Sequence, residues 1–281
     1  MDSQLLPTTN GDGLPIVPMT DGQRYTFDVK GWICLPGLLS EDELGAVLEH
    51  QHKLMEEPES LPPEERNSVG GPSQVMLDHP VLAGVLNEIV SHQGLASEDC
   101  YGFRFERTRT ERRPFGNDNF NAHGGSGYFN LCGDSHLYQM VPGKIHAGLT
   151  RVVWELNEVA CGGGGTLFIP GSHKAAFELP EEASGRDSPL WETYACPPGS
   201  VVVFTEGICH SGSTWTNREW DRLCLFSLYN TVNCRWGRSS VPPEVVAAMP
   251  PKRGTLFRDV WVARGKPIDD NLYFDEKNFA A

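Results

Sequence analysis

The sequence predicts a mainly β chain folded as a double-stranded β-helix, the jelly-roll or cupin-like architecture, with helices on its flanks. Thirty glycines and 21 prolines among 281 residues demand many turns, which suits short strands better than a helical bundle. Short apolar segments recur through the second half of the chain, bounded by those glycines and prolines. Helical patterning of any length is confined to two stretches in the first third and one short stretch near the end.

The elements follow in order. Residues 1–22 are polar and broken by glycine and proline, and are expected to form a loose arm ahead of one domain over 23–281. Tyr25–Val29 alternates like a strand, and Gly31-Trp32-Ile33-Cys34-Leu35 reads as a second one. Ser40 with Glu43 three residues on is a capping box, and Leu44, Val47, Leu48 and Leu54 continue one face, so a helix runs to about residue 56. A second helix covers Val81–Val90, capped near Asp78. Strands are expected at Tyr101–Arg107, Asn119–Ala122, Leu149–Leu156, Thr166–Ile169, Glu192–Cys196, Val201–Phe204 and Arg222–Asn230. A short helix covers 242–249.

Composition narrows the partners. The chain carries 23 basic and 37 acidic residues, a net charge of −14, which disfavours a nucleic acid polymer because phosphate binding needs clustered cations. No apolar run approaches the roughly 20 residues that span a bilayer. The eight cysteines include no CxxC pair and read as free thiols of a reducing compartment. The first residues lack the basic and apolar regions of a signal peptide. A cytoplasmic protein with a small-molecule partner is the expectation.

Four pieces carry chemistry. His123 stands at a predicted strand end and His210 lies 87 residues on, after the buried strand Val201–Phe204. Opposite strands of a small barrel bring such distant residues to one mouth. A histidine, a carboxylate two residues later and a distant second histidine is the pattern of a non-haem iron(II) site, whose three remaining positions stay open. Here the carboxylate position holds Gly125. Between the histidines lies the turn Ile169-Pro170-Gly171-Ser172-His173-Lys174, in which His173 reads as structural. Arg222 follows His210 by 12 residues, and its planar fork suits a carboxylate. His136 and His146 lack a strand-end context but remain candidates for a substitute ligand.

With the opening Gly31–Leu39 and the segment Val152–Glu158, these pieces resemble the phytanoyl-CoA dioxygenase family of iron(II)- and 2-oxoglutarate-dependent enzymes over roughly residues 25–235. The resemblance implies that His123 and His210 bind iron, that Arg222 binds the distal carboxylate of 2-oxoglutarate, and that Trp154 lies near this cosubstrate. Oxygen would be the oxidant. The departure at Gly125 resembles the 2-oxoglutarate-dependent halogenases, in which a halide such as chloride takes the carboxylate's place and the substrate carbon gains halogen.

Two alternatives stand beside halogenation. Glu206, four residues before His210, or a water would complete the iron site of a hydroxylase, or the chain would be a barrel that binds a small molecule without turnover. One further feature is the run from Arg104 to Arg113, which holds five arginines. It reads either as a solvated face with local ion pairs or as a patch in which Arg104, Arg107 or Arg109 receives a phosphate or carboxylate of the substrate.

Overall fold

The computed structural model describes residues 6–125 and 138–260. In chain order the helices and strands begin with α1 (Asp21–Lys30), β1 (Trp32–Leu35), α2 (Glu41–Glu56), α3 (Val75–Asp78), α4 (Pro80–Ile89) and β2 (Phe103–Arg113). They continue with β3 (Gln139–Val141), β4 (Lys144–His146), β5 (Thr150–Glu155), β6 (Thr166–Ile169), α5 (Glu181–Ser184), β7 (Ser200–Thr205), β8 (Cys209–Gly212), β9 (Arg222–Thr231), α6 (Pro243–Ala247) and α7 (Pro251–Gly254).

Five strands make an antiparallel sheet in the order β1-β7-β5-β9-β2. Its two faces bury different things, because alternate side chains point to opposite sides. Val152, Trp154, Val201, Val203, Leu225 and Tyr229 pack with Val47, Leu77, Leu82 and Leu86 of the helical layer. Val153, Val202, Phe204, Cys224 and Phe226 point the other way, toward Phe168, Tyr194 and Trp215. Burial on both faces is why these strands read as unbroken apolar runs rather than alternating ones. The facing sheet is β6 paired with β8, widened by single bridges from His123 to His210 and from Glu192 to Phe168. The expected double-stranded β-helix with flanking helices is therefore the observed architecture. Among the described residues no helix is long and apolar enough to cross a membrane.

Several local expectations are corrected. Tyr25–Val29 lies in α1, not in a strand. The hydroxyl of Thr20 accepts from the Gln23 N–H while the Gln23 side chain accepts from the Thr20 N–H, a capping box that outweighs five residues of alternation. The residue capping α4 is His79, which accepts from the Val81 N–H, rather than Asp78. Asn119–Ala122 forms no strand, a single bridge falling on His123 just after it, and Glu192–Cys196 is reduced to isolated bridges at its two ends. The strand expected to stop at Arg107 continues to Arg113 through a bulge between Phe105 and Arg107. That bulge resets its phase. Phe103 and Phe105 face the helical layer before it, whereas after it Thr110 does, bonded to Gln51 and Ser68, and Arg109 and Arg113 turn toward Phe226.

Nor are residues 6–20 loose. Met19 and Asn10 are buried, and the Gly11 N–H donates to Asp78. Asp78 also accepts from the Tyr101 hydroxyl (2.8 Å) and Arg253 Nε (2.7 Å), and Arg253 reaches Asp12. This network ties the start of the described chain to α3, β2 and α7. Removing one member of a buried ion pair strands the other, at a cost of about 3–5 kcal/mol. Asp78→Ala is expected to lower unfolding stability by that amount in urea titrations and to open residues 6–20 to limited proteolysis. A change under about 1 kcal/mol would show that the network is dispensable.

Candidate active site

The turn over Pro170–His173 is what seats β8. Gly171 adopts φ +80°, and the Ser172 hydroxyl donates to the Ile169 carbonyl while accepting from the Cys209 N–H, both at 2.7 Å. His210, next along, pairs with Phe168 on one side and with His123 on the other. The two histidines exchange both backbone bonds, His123 N–H to His210 O at 3.1 Å and His210 N–H to His123 O at 2.9 Å. Their rings share one face of the sheet, with centroids 4.1 Å apart.

Each ring is oriented the same way. Nδ1 of His123 lies 2.7 Å from the Asn121 carbonyl, and Nδ1 of His210 lies 2.9 Å from the Ile208 carbonyl. A carbonyl only accepts, so each Nδ1 carries the proton and each Nε2 keeps a free lone pair, the tautomer a metal ligand needs. Burial pushes His210 down to about 4, against the opposing pull of Glu206, so its ring is neutral at physiological pH.

Glu206 completes the polar surroundings. Burial would raise its carboxyl, but Arg151, ion-paired to it, and then His210 and His123 outweigh that and hold it at about 2. Its side chain is 10 % exposed. Even so, no three His, Cys, Asp or Glu side chains among the described residues form a metal-holding group. The described site thus fits a metal with two imidazoles, and the ionised Glu206 stands beside them.

Gly125 is packed closely against β8 and the turn. Its N–H donates to the Gly207 carbonyl at 3.0 Å, and its φ is +66°. A Cβ built there would lie 2.6 Å from Cys209 Cβ and 3.0 Å from Ser172 Cβ. Its side-chain direction therefore points into β8 and the turn, and glycine is required by close approach of two backbones.

Arg222 is buried and bonds Glu155, through Nε at 3.1 Å and through Nη2, which also donates to the Tyr194 hydroxyl at 3.1 Å. Its Nη1 has no partner among the described residues, a donor suited to a carboxylate oxygen.

Solved structures share this arrangement of sheets. HygX from Streptomyces hygroscopicus, solved with iron bound, is 21% identical with a TM-score of 0.59, over 76% of this chain and 88% of that one. HygX has also been solved with nickel, 2-oxoglutarate and hygromycin B. SnoK, a non-haem alpha-ketoglutarate-dependent carbocyclase from nogalamycin biosynthesis, is 13% identical with a TM-score of 0.54, over 92% of this chain and 97% of that one. The chain has the fold of these structures. No family model and no curated protein matches it.

Within this double-stranded β-helix the remaining expected residues separate. Trp154, expected near the cosubstrate, is on the helical face of the sheet, its Nε1 donating to the Met76 carbonyl at 3.0 Å, on the side away from Phe226 and Arg222. Arg104 is buried against Glu106 and the carbonyls of Cys234 and Arg258, where it anchors the chain after β9 and is closed to substrate. Arg107 and Arg109 are exposed, and Arg109 lies 5.1 Å over Phe226 while pairing with Glu111. His173 is structural, with Nε2 3.2 Å from the Asp28 carbonyl. His146 lies in the β3–β4 hairpin, and His136 lies outside the described residues.

Sequence reasoning missed Arg113, Arg151, Glu155 and Tyr194. Arg151 and Glu155 had a signal, since charges four apart on a buried strand share one face.

His210→Gln is expected to abolish nickel(II) binding in calorimetry. It should also flatten the acid profile of the metal-free chain. A neutral buried histidine loses stability as pH falls from the ordinary 6.5 toward the folded value of about 4, a loss of about 3 kcal/mol here. A variant that loses as much stability between pH 6.5 and 4 as the wild type does would contradict this assignment. The Glu206 contribution follows at lower pH, present above 4.5 and lost toward 2.

Proposed function

We propose that the chain is a non-haem iron(II)- and 2-oxoglutarate-dependent oxidoreductase that activates an aliphatic C–H bond of a small anionic molecule with oxygen. The observation that carries this reading is the His123–His210 pair, with both Nδ1 atoms occupied by carbonyls and both Nε2 atoms free. HygX, of the same fold, has been solved with nickel and 2-oxoglutarate, which supports the same cofactors here.

His123 and His210 would hold the metal, and Arg222 Nη1 would meet the distal carboxylate of 2-oxoglutarate. Iron with 2-oxoglutarate and oxygen supplies the oxidising power for C–H cleavage when bound. Arg151 keeps Glu206 ionised beside the imidazoles, where its carboxylate would be available as an acceptor or a further ligand if a metal were held there. Phe204, 4.8 Å from the His210 ring, and Phe168 keep water from the inner side. Arg107 and Arg109, exposed on the same strand as the buried Arg113, would receive a carboxylate or phosphate of the substrate.

Hydroxyl transfer is favoured over halogen transfer for two reasons. Glu206 already brings a negative charge to the imidazoles, and glycine at 125 has a packing reason of its own, since a Cβ there would run into Cys209 and Ser172. The test is anaerobic addition of 2-oxoglutarate to the iron(II)-loaded chain, followed by oxygen. A visible charge-transfer band that chloride leaves unmoved is expected, with succinate formed on aeration, and Glu206→Ala should slow that step at least about tenfold. A chloride-dependent band shift would favour the halogenase, and no band at all would favour a barrel without turnover.

A further inference from the structure

Arg113 and Arg222 stand directly opposite each other in the antiparallel register of β2 and β9. Like charges in that position repel, and these are 7 % and 1 % exposed, so water screens them little. Each has one acid. Glu111 takes Nε and Nη2 of Arg113, and Glu155 takes Nε and Nη2 of Arg222. The atom left over is the same in both, since each Nη1 is buried without a partner among the described residues. A buried donor left unmade costs free energy, so two of them side by side require an explanation.

Three observations indicate where those donors lie. The guanidinium carbons of Arg113 and Arg222 are 5.8 Å and 5.7 Å from the Phe226 ring, so both heads gather over one side chain between the sheets. A Cβ on Gly212 would meet Arg113 Nη1 at 3.1 Å. Gly212 follows His210 by two residues on β8, on the same face and ~6.8 Å along the strand. The charge count agrees. Arg109 also pairs with Glu111, so three guanidiniums face two carboxylates and one more carboxylate balances the set.

We propose that Arg113 and Arg222 clamp the distal carboxylate of 2-oxoglutarate together, each Nη1 donating to the ligand. This rests on the reading of the site as a 2-oxoglutarate site, and adds to it a second cation from a neighbouring strand. The single Arg222 donor left by Glu155 is thereby supplemented, and the gap at Gly212 leaves room for the Arg113 head.

Calorimetric titration of the nickel(II)-loaded full chain with 2-oxoglutarate and with 2-oxopentanoate, which lacks the distal carboxylate, tests this. The wild type should prefer the dicarboxylate strongly. Arg113→Gln should reduce that preference at least about tenfold, the loss of a charge-assisted hydrogen bond, with 2-oxopentanoate and nickel affinities unchanged. Arg113→Lys should restore part of it. If Arg222→Gln removes the preference while Arg113→Gln and Arg113→Lys both keep it, the clamp is refuted and the cofactor reading stands. No preference in the wild type would refute both. Equal weakening of both ligands by Arg113→Gln and Arg113→Lys would show a structural role only, and would also refute the clamp.

Discussion

The candidate site depends on one reciprocal backbone pair, the two hydrogen bonds exchanged by His123 and His210 across the edge of the smaller sheet. Direct opposition fixes two imidazoles on one face without any side chain having to reach. The carbonyls of Asn121 and Ile208 then set both tautomers. That pair holds only because β8 is seated at its start, where the Ser172 hydroxyl takes the Cys209 N–H, and because Gly124 and Gly125 let the incoming chain lie against residues 206–209. A Cβ on Gly124 would sit 2.3 Å from the Ile208 carbonyl. Chemistry and packing are therefore the same constraint at this edge.

The space between the sheets is unusual for its charge. Arg109, Arg113, Arg151 and Arg222 all lie 5.1–5.8 Å from the Phe226 ring, in a chain whose net charge is −14. Buried ion pairs return little net stability, because desolvation offsets their attraction. The apolar layer between sheet and helices, from Val47 to Tyr229, is the larger source of stability. One sheet thus separates a stabilising face from a polar one, residue by residue along β5, where Val152 and Trp154 alternate with Arg151 and Glu155.

Much of the architecture was legible in the sequence. The capping box at Ser40, the apolar runs of β5, β7 and β9, the Pro-Gly-Ser turn and the two histidines all depend on local chemistry, which composition and spacing carry. Where local signals competed, as at Tyr25–Val29, the wrong period was taken because five residues fit both a strand and one helix turn.

The tertiary structure alone decided which way side chains face and what stands opposite them. Glycine at 125 looks in the sequence like a missing ligand, but its direction depends on φ and on Cys209, a residue 84 positions away. Trp154 shares a strand with Arg151 and Glu155, yet one step of strand phase sends it to the helices. The bulge after Phe105 turned Arg109 and Arg113 to the Phe226 side, and it set Arg113 opposite Arg222. In a sheet a one-residue shift exchanges the two faces, so identity and spacing name the candidates while register and bulges choose among them.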